Sequence, residues 1–348
     1  MMKDVRAQCF ESDEKVLQEK LKRMAARQIQ GKYPLRFELP IGLQMELTGR
    51  CNLRCKHCYN VSGETAKTTM TPEDWRTLAR QLVAAGGLFE CILSGGEPLL
   101  LGDDLPSIMD ILHEDGTAFV LISNGFLMDD AWVRKLKKYR YSHFQISIDG
   151  AFAELHDEFR GVPGSFERAT AAAFKAAAAG LPVRIAHTVS RSTLPYMEDM
   201  VELAWKLGAQ TLVLGEAMPS GRTYDYVGET VLTGEDLSKM YDSIEKLIPK
   251  YGGKIEIQRS SFLKHQLLSC QSQPNSAVIV RPDGSVRLDC MTPFVIGNVK
   301  ERPFLDIWRE KGGDCWRHPK VKQYIDSVQG MNNWSDAVRN YADEDIWI

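Results

Sequence analysis

Leu43-Gln44-Met45-Glu46-Leu47-Thr48-Gly49-Arg50-Cys51-Asn52-Leu53-Arg54-Cys55-Lys56-His57-Cys58 joins a short apolar run to three cysteines spaced C-x3-C-x2-C. Leu43 to Leu47 reads as a buried strand, and the cysteines follow its carboxyl end. Soft thiolates select iron–sulfur clusters or zinc, and structural four-cysteine sites close every position. Three thiolates are one short. A four-iron cluster on Cys51, Cys55 and Cys58 therefore keeps one iron open to a reacting group. Zinc with His57 as fourth ligand is the rival reading, but side chains as adjacent as His57 and Cys58 rarely converge on one ion.

Outward from this stretch, apolar runs alternate with amphipathic ones. Leu43 to Leu47, Phe89 to Leu93, Ala118 to Ser123, Phe144 to Ile148, Val183 to Val189 and Thr211 to Leu214 read as buried parallel strands. Between them Thr71 to Ala85, Ala131 to Tyr139, Phe166 to Ala179 and Tyr196 to Leu207 carry helical periodicity. Thr71 with Pro72 marks a helix start, and Gly86, Gly180 and Gly208 stand where helices stop. Six such units predict an α/β fold, a partial (β/α)6 parallel barrel over residues 41–232. Residues 1–40 form an N-terminal arm in which Glu11 to Gln30 is expected as one helix, with Leu17, Leu21 and Met24 at helical spacing.

Parallel α/β architectures bind ligands beyond the carboxyl ends of their strands. Cys51 follows the first strand, Gly95-Gly96-Glu97-Pro98 the second, Ser123-Asn124-Gly125 the third, Ser147-Ile148-Asp149-Gly150 the fourth and Gly215-Glu216 the sixth. One mouth is expected to collect them. Pro219 to Arg222 lies past the sixth strand and borders the same mouth, while Cys91, inside an apolar strand, reads as a core thiol.

Composition narrows the class. A net charge of -3 over 348 residues makes no electrostatic case for nucleic acid or a membrane surface. No apolar stretch of membrane-spanning length and no secretory n-region is present, and eight cysteines then read as reduced thiols and cluster ligands in a cytoplasmic protein.

The tail over residues 233–348 is built differently. After a helical stretch from Thr233 to Lys250, Ala277 to Cys290 alternates apolar residues on either side of Pro282-Asp283-Gly284, which predicts a β-hairpin with Cys290 ending its second strand and Cys270 preceding its first.

With these residues in place, the sequence resembles the radical S-adenosylmethionine (SAM) enzymes, on the cysteine trio and the Gly-Gly-Glu-Pro turn after the next strand. The resemblance implies a 4Fe-4S cluster whose unique iron is chelated by SAM, and reductive cleavage to a 5′-deoxyadenosyl radical that abstracts hydrogen from a substrate. It assigns Gly95, Gly96 and Glu97 to the methionine end of SAM, with Glu97 accepting from the ammonium. Ser123, Asn124 and Ser147 offer hydrogen bonds at the same mouth, Asp149 faces the ribose hydroxyls, and Arg160, within His156 to Gly161, neutralises the methionine carboxylate.

The tail likewise resembles the auxiliary-cluster domain called SPASM when complete and twitch when shortened. Gly297-Asn298 and Asp306 to Trp308 add to that likeness. A complete domain uses seven cysteines, whereas Cys270, Cys290 and Cys315 are the three after residue 222, and the interval from Gly284 to Cys290 is one residue long for the motif. The expectation is a small α+β twitch-like domain with one auxiliary iron–sulfur cluster on these three.

A ribosomal precursor peptide is the expected substrate, cross-linked, epimerised or otherwise matured. A flavodoxin- or ferredoxin-type reductant would supply electrons. Fifty residues precede Cys51, so the leader would be read by the arm, by a separate leader-binding protein, or by neither. The alternatives are a radical dehydrogenase, decarboxylase or dehydratase of a small-molecule sugar or aminocyclitol and, from another class, a non-catalytic iron–sulfur electron carrier. No quenching residue stands out among Cys9, Tyr59, Tyr224 and Tyr226.

Overall fold

The computed structural model describes residues 18–19, 22, 28–29, 36–63, 69–218, 220–260, 263–274, 277–328 and 345–348. Most of the expected helix from Glu11 to Gln30 lies outside the described residues, as does Cys9. Its far end is not helical: β1 (Gln28–Ile29) pairs antiparallel with β2 (Arg36–Phe37), so the expected helix does not run through residue 30.

Parallel pairing begins at β3 (Gly42–Glu46) and passes in chain order through β4 (Glu90–Ser94), β5 (Ala118–Ser123), β6 (Tyr141–Ser147), β7 (Val183–Val189), β8 (Thr211–Glu216) and β9 (Glu256–Arg259). The six expected strands are all present, and the run continues into β9. That strand hides in the sequence because Glu256, Gln258 and Arg259 are polar: it is an edge strand, so half of it faces solvent. Helices Pro72–Ala84, Asp104–Glu114, Asp130–Leu136, Ser165–Ala178, Met197–Lys206 and Glu235–Tyr251 make the crossovers.

Local sequence starts and stops these elements as expected. The Thr71 side chain accepts from the Asp74 amide at 3.2 Å while the Asp74 carboxylate accepts from the Thr71 amide at 2.8 Å, a reciprocal cap at the head of the first crossover helix. Leu43, Met45, Cys91, Leu93, Phe119 and Leu121 alternate inward on β3 to β5 and are fully buried. Among the described residues, no helix is long and apolar enough to cross a membrane.

The tail is not a detached module. Strand β10 (Ala277–Val280) pairs parallel with β3, and β11 (Ser285–Arg287), β12 (Phe294–Asn298) and β13 (Ile346–Trp347) extend the same sheet outward. The sheet has open ends at β13 and β9, which suits a partial barrel. The hairpin turns at Gly284, whose φ of 87° favours glycine. Its second strand stops at Arg287, so Cys290 sits beyond the strand end, in the connection to β12.

Trp75 ties the first helix to the start of the cysteine loop. It is fully buried, and its Nε1 donates to the Leu47 carbonyl at 3.0 Å. Replacing it by Phe leaves that carbonyl without its donor and opens a small void, so Trp75→Phe should destabilise the fold by about 1–3 kcal/mol, read from a urea unfolding midpoint. An unchanged midpoint would show that the Leu47 bond contributes nothing.

Candidate active site

The loop carrying the three cysteines is held on every side by backbone. The Gly63 amide donates to the Gly49 carbonyl at 2.8 Å and closes the loop. The Arg54 and Lys56 amides donate to the Arg160 and Phe159 carbonyls at 3.0 and 2.9 Å, stitching it to helix Ala153–Arg160. Arg222 clamps the far side, its Nε donating to the Cys55 carbonyl at 3.0 Å and its Nη2 to the Ser62 carbonyl at 3.1 Å. Arg222 therefore braces the loop rather than lining the mouth. Pro219, beside it in the sequence, lies outside the described residues.

Gly95 and Gly96 have a sharper physical reason than access for a ligand. A Cβ on Gly96 would stand 2.0 Å from the Arg50 carbonyl oxygen, and one on Gly95, whose φ is 144°, would stand 2.6 Å from that of Thr48. Their closeness lets the Gly96 and Glu97 amides donate to the Thr48 and Arg50 carbonyls at 2.6 and 2.9 Å. Glycine is required for the turn to lie flat against the cysteine loop.

Beyond the strand ends lies a cavity of about 330 Å³. Cys51, Cys55 and Cys58 form one wall, with Gly95, Gly96, Ser123, Asn124, Ser147 and Arg160 around it. Sequence reasoning missed Gln145 and Thr188 and left Glu216 without a role, though all three line the space. The signal was available in the period of two: Gln145 lies two before Ser147 on β6, and Ala186 and Thr188 share one face of β7. Burial raises the Glu216 carboxyl above its ordinary range, and its Oε2 is buried without a hydrogen-bond partner.

Glu97 and Asp149 do not line this cavity. The Glu97 carboxylate accepts from the Leu99 amide at 3.1 Å, the Ser123 hydroxyl at 2.8 Å and the Asn124 amide at 2.8 Å, which pins the end of β5 to the turn after β4. Burial raises it to about 7 even against those donors. Asp149 meets Arg160 Nη2 at 2.5 Å and accepts from the Thr188 amide at 2.6 Å. Burial alone would raise its carboxyl, but the Arg160 guanidinium, with His57 and His187, outweighs that and holds it at about 2.

The thiols suit a cluster. Burial pushes the Cys51 thiol up to about 12 and raises Cys55, so thiolates here need a cation to hold them. N–H groups already point at each sulfur: Leu53 at Cys51 and Ser62 at Cys58, both at 3.4 Å, and Arg160 at Cys55 at 3.5 Å. His57 instead stacks on Phe159, ring centroids 4.6 Å apart, with its Nε2 3.6 Å from Asp149. Among the described residues, no three His, Cys, Asp or Glu side chains gather closely enough for a single ion.

In the tail, two of the three expected cysteines share Asp289 as an interacting group. Cys270 sits on helix Leu263–Ser272, and Asp289 acts electrostatically on both its thiol and that of Cys290. Burial pushes Cys270 up to about 12. Asp289 was not foreseen as part of this group: it accepts from the Met291 amide at 2.8 Å and hydrogen-bonds to Cys290 and Gln266. The Cys315 thiol donates to the Gly312 carbonyl at 3.0 Å and lines a different cavity with Lys311 and Arg317, although the turn that carries it packs on the Cys270 helix.

Comparison with known proteins agrees with this geometry. Residues 45–205 match the family model described as the radical SAM superfamily, and residues 270–327 match SPASM, an iron–sulfur cluster-binding domain. The AdoMet-dependent heme synthase of Methanosarcina barkeri is 30% identical over 287 residues, 76% of this chain and 80% of that protein. The antilisterial bacteriocin subtilosin biosynthesis protein AlbA of Bacillus subtilis is 28% identical over 266 residues, 76% of this chain and 58% of that protein. Streptococcus suis SuiB bound to S-adenosylmethionine shares the fold with a TM-score of 0.64 at 15% identity, over 84% of this chain and 69% of that one.

The glycine contact generates a direct test. Gly96→Ala would drive a methyl into the Arg50 carbonyl and part the turn from the cysteine loop. The variant should melt well below the parent and take up less iron on anaerobic reconstitution, with the deficit at the first cluster. Parent-like melting and iron content would show that the approach is not needed.

Proposed function

The chain belongs to the radical SAM superfamily, and on that footing we propose that it cleaves SAM reductively and matures a ribosomally made precursor peptide. Its cofactors are SAM and a 4Fe-4S cluster, with further iron–sulfur binding in the SPASM stretch. When bound, the reduced cluster and SAM supply a 5′-deoxyadenosyl radical that takes hydrogen from a C–H bond. The observation that carries this reading is that Cys51, Cys55 and Cys58 line one cavity together with Gly95, Gly96, Ser123 and Asn124.

The residues of the chain then have separable tasks. Cys51, Cys55 and Cys58 hold the cluster. Ser123, Asn124 and Ser147 offer polar groups to SAM, and the unpartnered Glu216 oxygen accepts from a hydroxyl or ammonium group in the cavity. Glu97 acts from behind by fixing Ser123 and the Asn124 backbone, and Asp149 by fixing Arg160. Cys270 and Cys290, joined by Asp289, hold the auxiliary cluster, and Cys315, on the turn that packs on the Cys270 helix, is its third cysteine. A flavodoxin- or ferredoxin-type protein supplies electrons.

A peptide substrate is supported by the similarity to a bacteriocin biosynthesis protein. A second reading, a substrate on the way to heme, is favoured by the 30% identity with a heme synthase. Anaerobically reconstituted protein should release 5′-deoxyadenosine under dithionite, and release should rise with the true substrate class. A short peptide encoded beside the gene should lose two hydrogens if cross-linked, or gain a D-residue if epimerised. Turnover of a heme precursor with none of the peptide would overturn the peptide reading.

Two cysteine variants divide the clusters. Cys51→Ala/Cys55→Ala/Cys58→Ala should abolish 5′-deoxyadenosine release while iron remains in the tail, and retained release would refute the trio. Cys270→Ala/Cys290→Ala should lose about half the iron yet still cleave SAM. Unchanged iron in that variant would remove the auxiliary cluster.

A further inference from the structure

We propose that Arg160 sets the reduction potential of the cluster held by Cys51, Cys55 and Cys58, through a charged N–H···S hydrogen bond to Cys55 that Asp149 weakens. The inference rests on the reading that these three cysteines carry the cluster. It goes beyond that reading by giving the Arg160–Asp149 pair a task in the electron transfer itself.

The geometry is specific to Cys55. Leu53 and Ser62 offer neutral backbone N–H groups to Cys51 and Cys58, and Asn124 Nδ2 lies 3.8 Å from Cys51 Sγ. Arg160 instead brings a full positive charge, with Nη1 3.5 Å from Cys55 Sγ. Arg160 is only 7% exposed and Asp149 is fully buried, so water screens neither charge effectively. The helix end that carries Arg160 is stitched to the cysteine loop by the Arg54 amide, which fixes its main chain, while Asp149 and Cys55 hold the guanidinium.

Reduction places one more negative charge on the iron and thiolate sulfurs. A positive donor at a sulfur stabilises the reduced form more than the oxidised form and raises the potential. Asp149 works against it, because its carboxylate lies 2.5 Å from Nη2 of the same guanidinium and offsets that charge. The other ionisable groups that act on the pair or sit beside it are His57, His156 and His187, whose protonation burial disfavours, Glu97, and Arg222, which is bonded to the Cys55 carbonyl; all are common to every variant below. Removing the arginine and removing the acid should therefore shift the potential in opposite directions. Mere damage to the loop would not reverse sign.

The test is a potentiometric titration of the full-length reconstituted protein, followed by electron paramagnetic resonance without SAM. The relevant signal is identified in the parent as the one that changes when SAM is added. Arg160→Gln should move its midpoint to more negative potential, Asp149→Asn to less negative, and Arg160→Lys should fall between the parent and Arg160→Gln. Iron content equal to the parent's shows that each variant is loaded. If Arg160→Gln fails to load, the upward shift of Asp149→Asn and a downward shift of Arg160→Lys from the parent decide the matter. Midpoints that stay put, or that move the same way in Arg160→Gln and Asp149→Asn, overturn the proposal. A parent with no SAM-responsive signal overturns the underlying reading instead.

Discussion

At the carboxyl end of the sheet, the amides of Gly96 and Glu97 hydrogen-bond to the carbonyls of Thr48 and Arg50, and the cavity is built around that seam. Two backbones can lie this close only where neither Cβ intrudes, hence the glycine pair. Glu97 follows at once and is directed inward by the same turn, where it captures Ser123 and the Asn124 amide. One close approach thereby sets the spacing of three successive strand ends beside the cysteine loop.

Charge is handled behind these walls. Glu97, Asp149 and Arg160 are all buried, a costly arrangement unless each finds partners. Glu97 finds three donors, and Asp149 finds Arg160 and the Thr188 amide. Neither acid reaches the cavity, so their influence on a bound group passes through the residues they hold. Arg160 stands between the two layers, touching Asp149 behind and Cys55 in front. The cysteine loop itself carries a cost at Val61, a β-branched residue at φ 49°, whose amide is held by the Cys58 carbonyl at 3.2 Å.

The tail shares its sheet with the body, since β10 lies directly beside β3, the strand that leads into the cysteine trio. Glu46 ends β3 and accepts from Tyr59 and Asn60, just past Cys58, while its charge is felt at Cys290. The two cysteine groups thus belong to one continuous sheet, with β10 and β11 between β3 and the Cys290 segment, and their relative placement follows from strand register.

By itself the sequence determined the local chemistry and the order of the elements. The cysteine spacing, the six apolar strands and the turn at Gly284 are local features of the chain, whereas the need for the glycine pair arises from its approach to the Thr48 and Arg50 carbonyls. Only tertiary structure decided which of those residues face the cavity. Glu97 and Asp149 look like ligand contacts in one dimension, yet their turns point them inward to buried donors. Gln145, Thr188 and Glu216 look ordinary, yet pleat and register bring them to the mouth. Strand β9 escaped notice because an edge strand keeps polar residues on its open side, and β10 gave no sign of its place beside β3 because pairing across more than two hundred residues leaves no local trace. The physical reason is the same throughout: periodicity and capping are short-range, whereas the direction of a side chain at a strand end depends on neighbours brought close by the folded sheet.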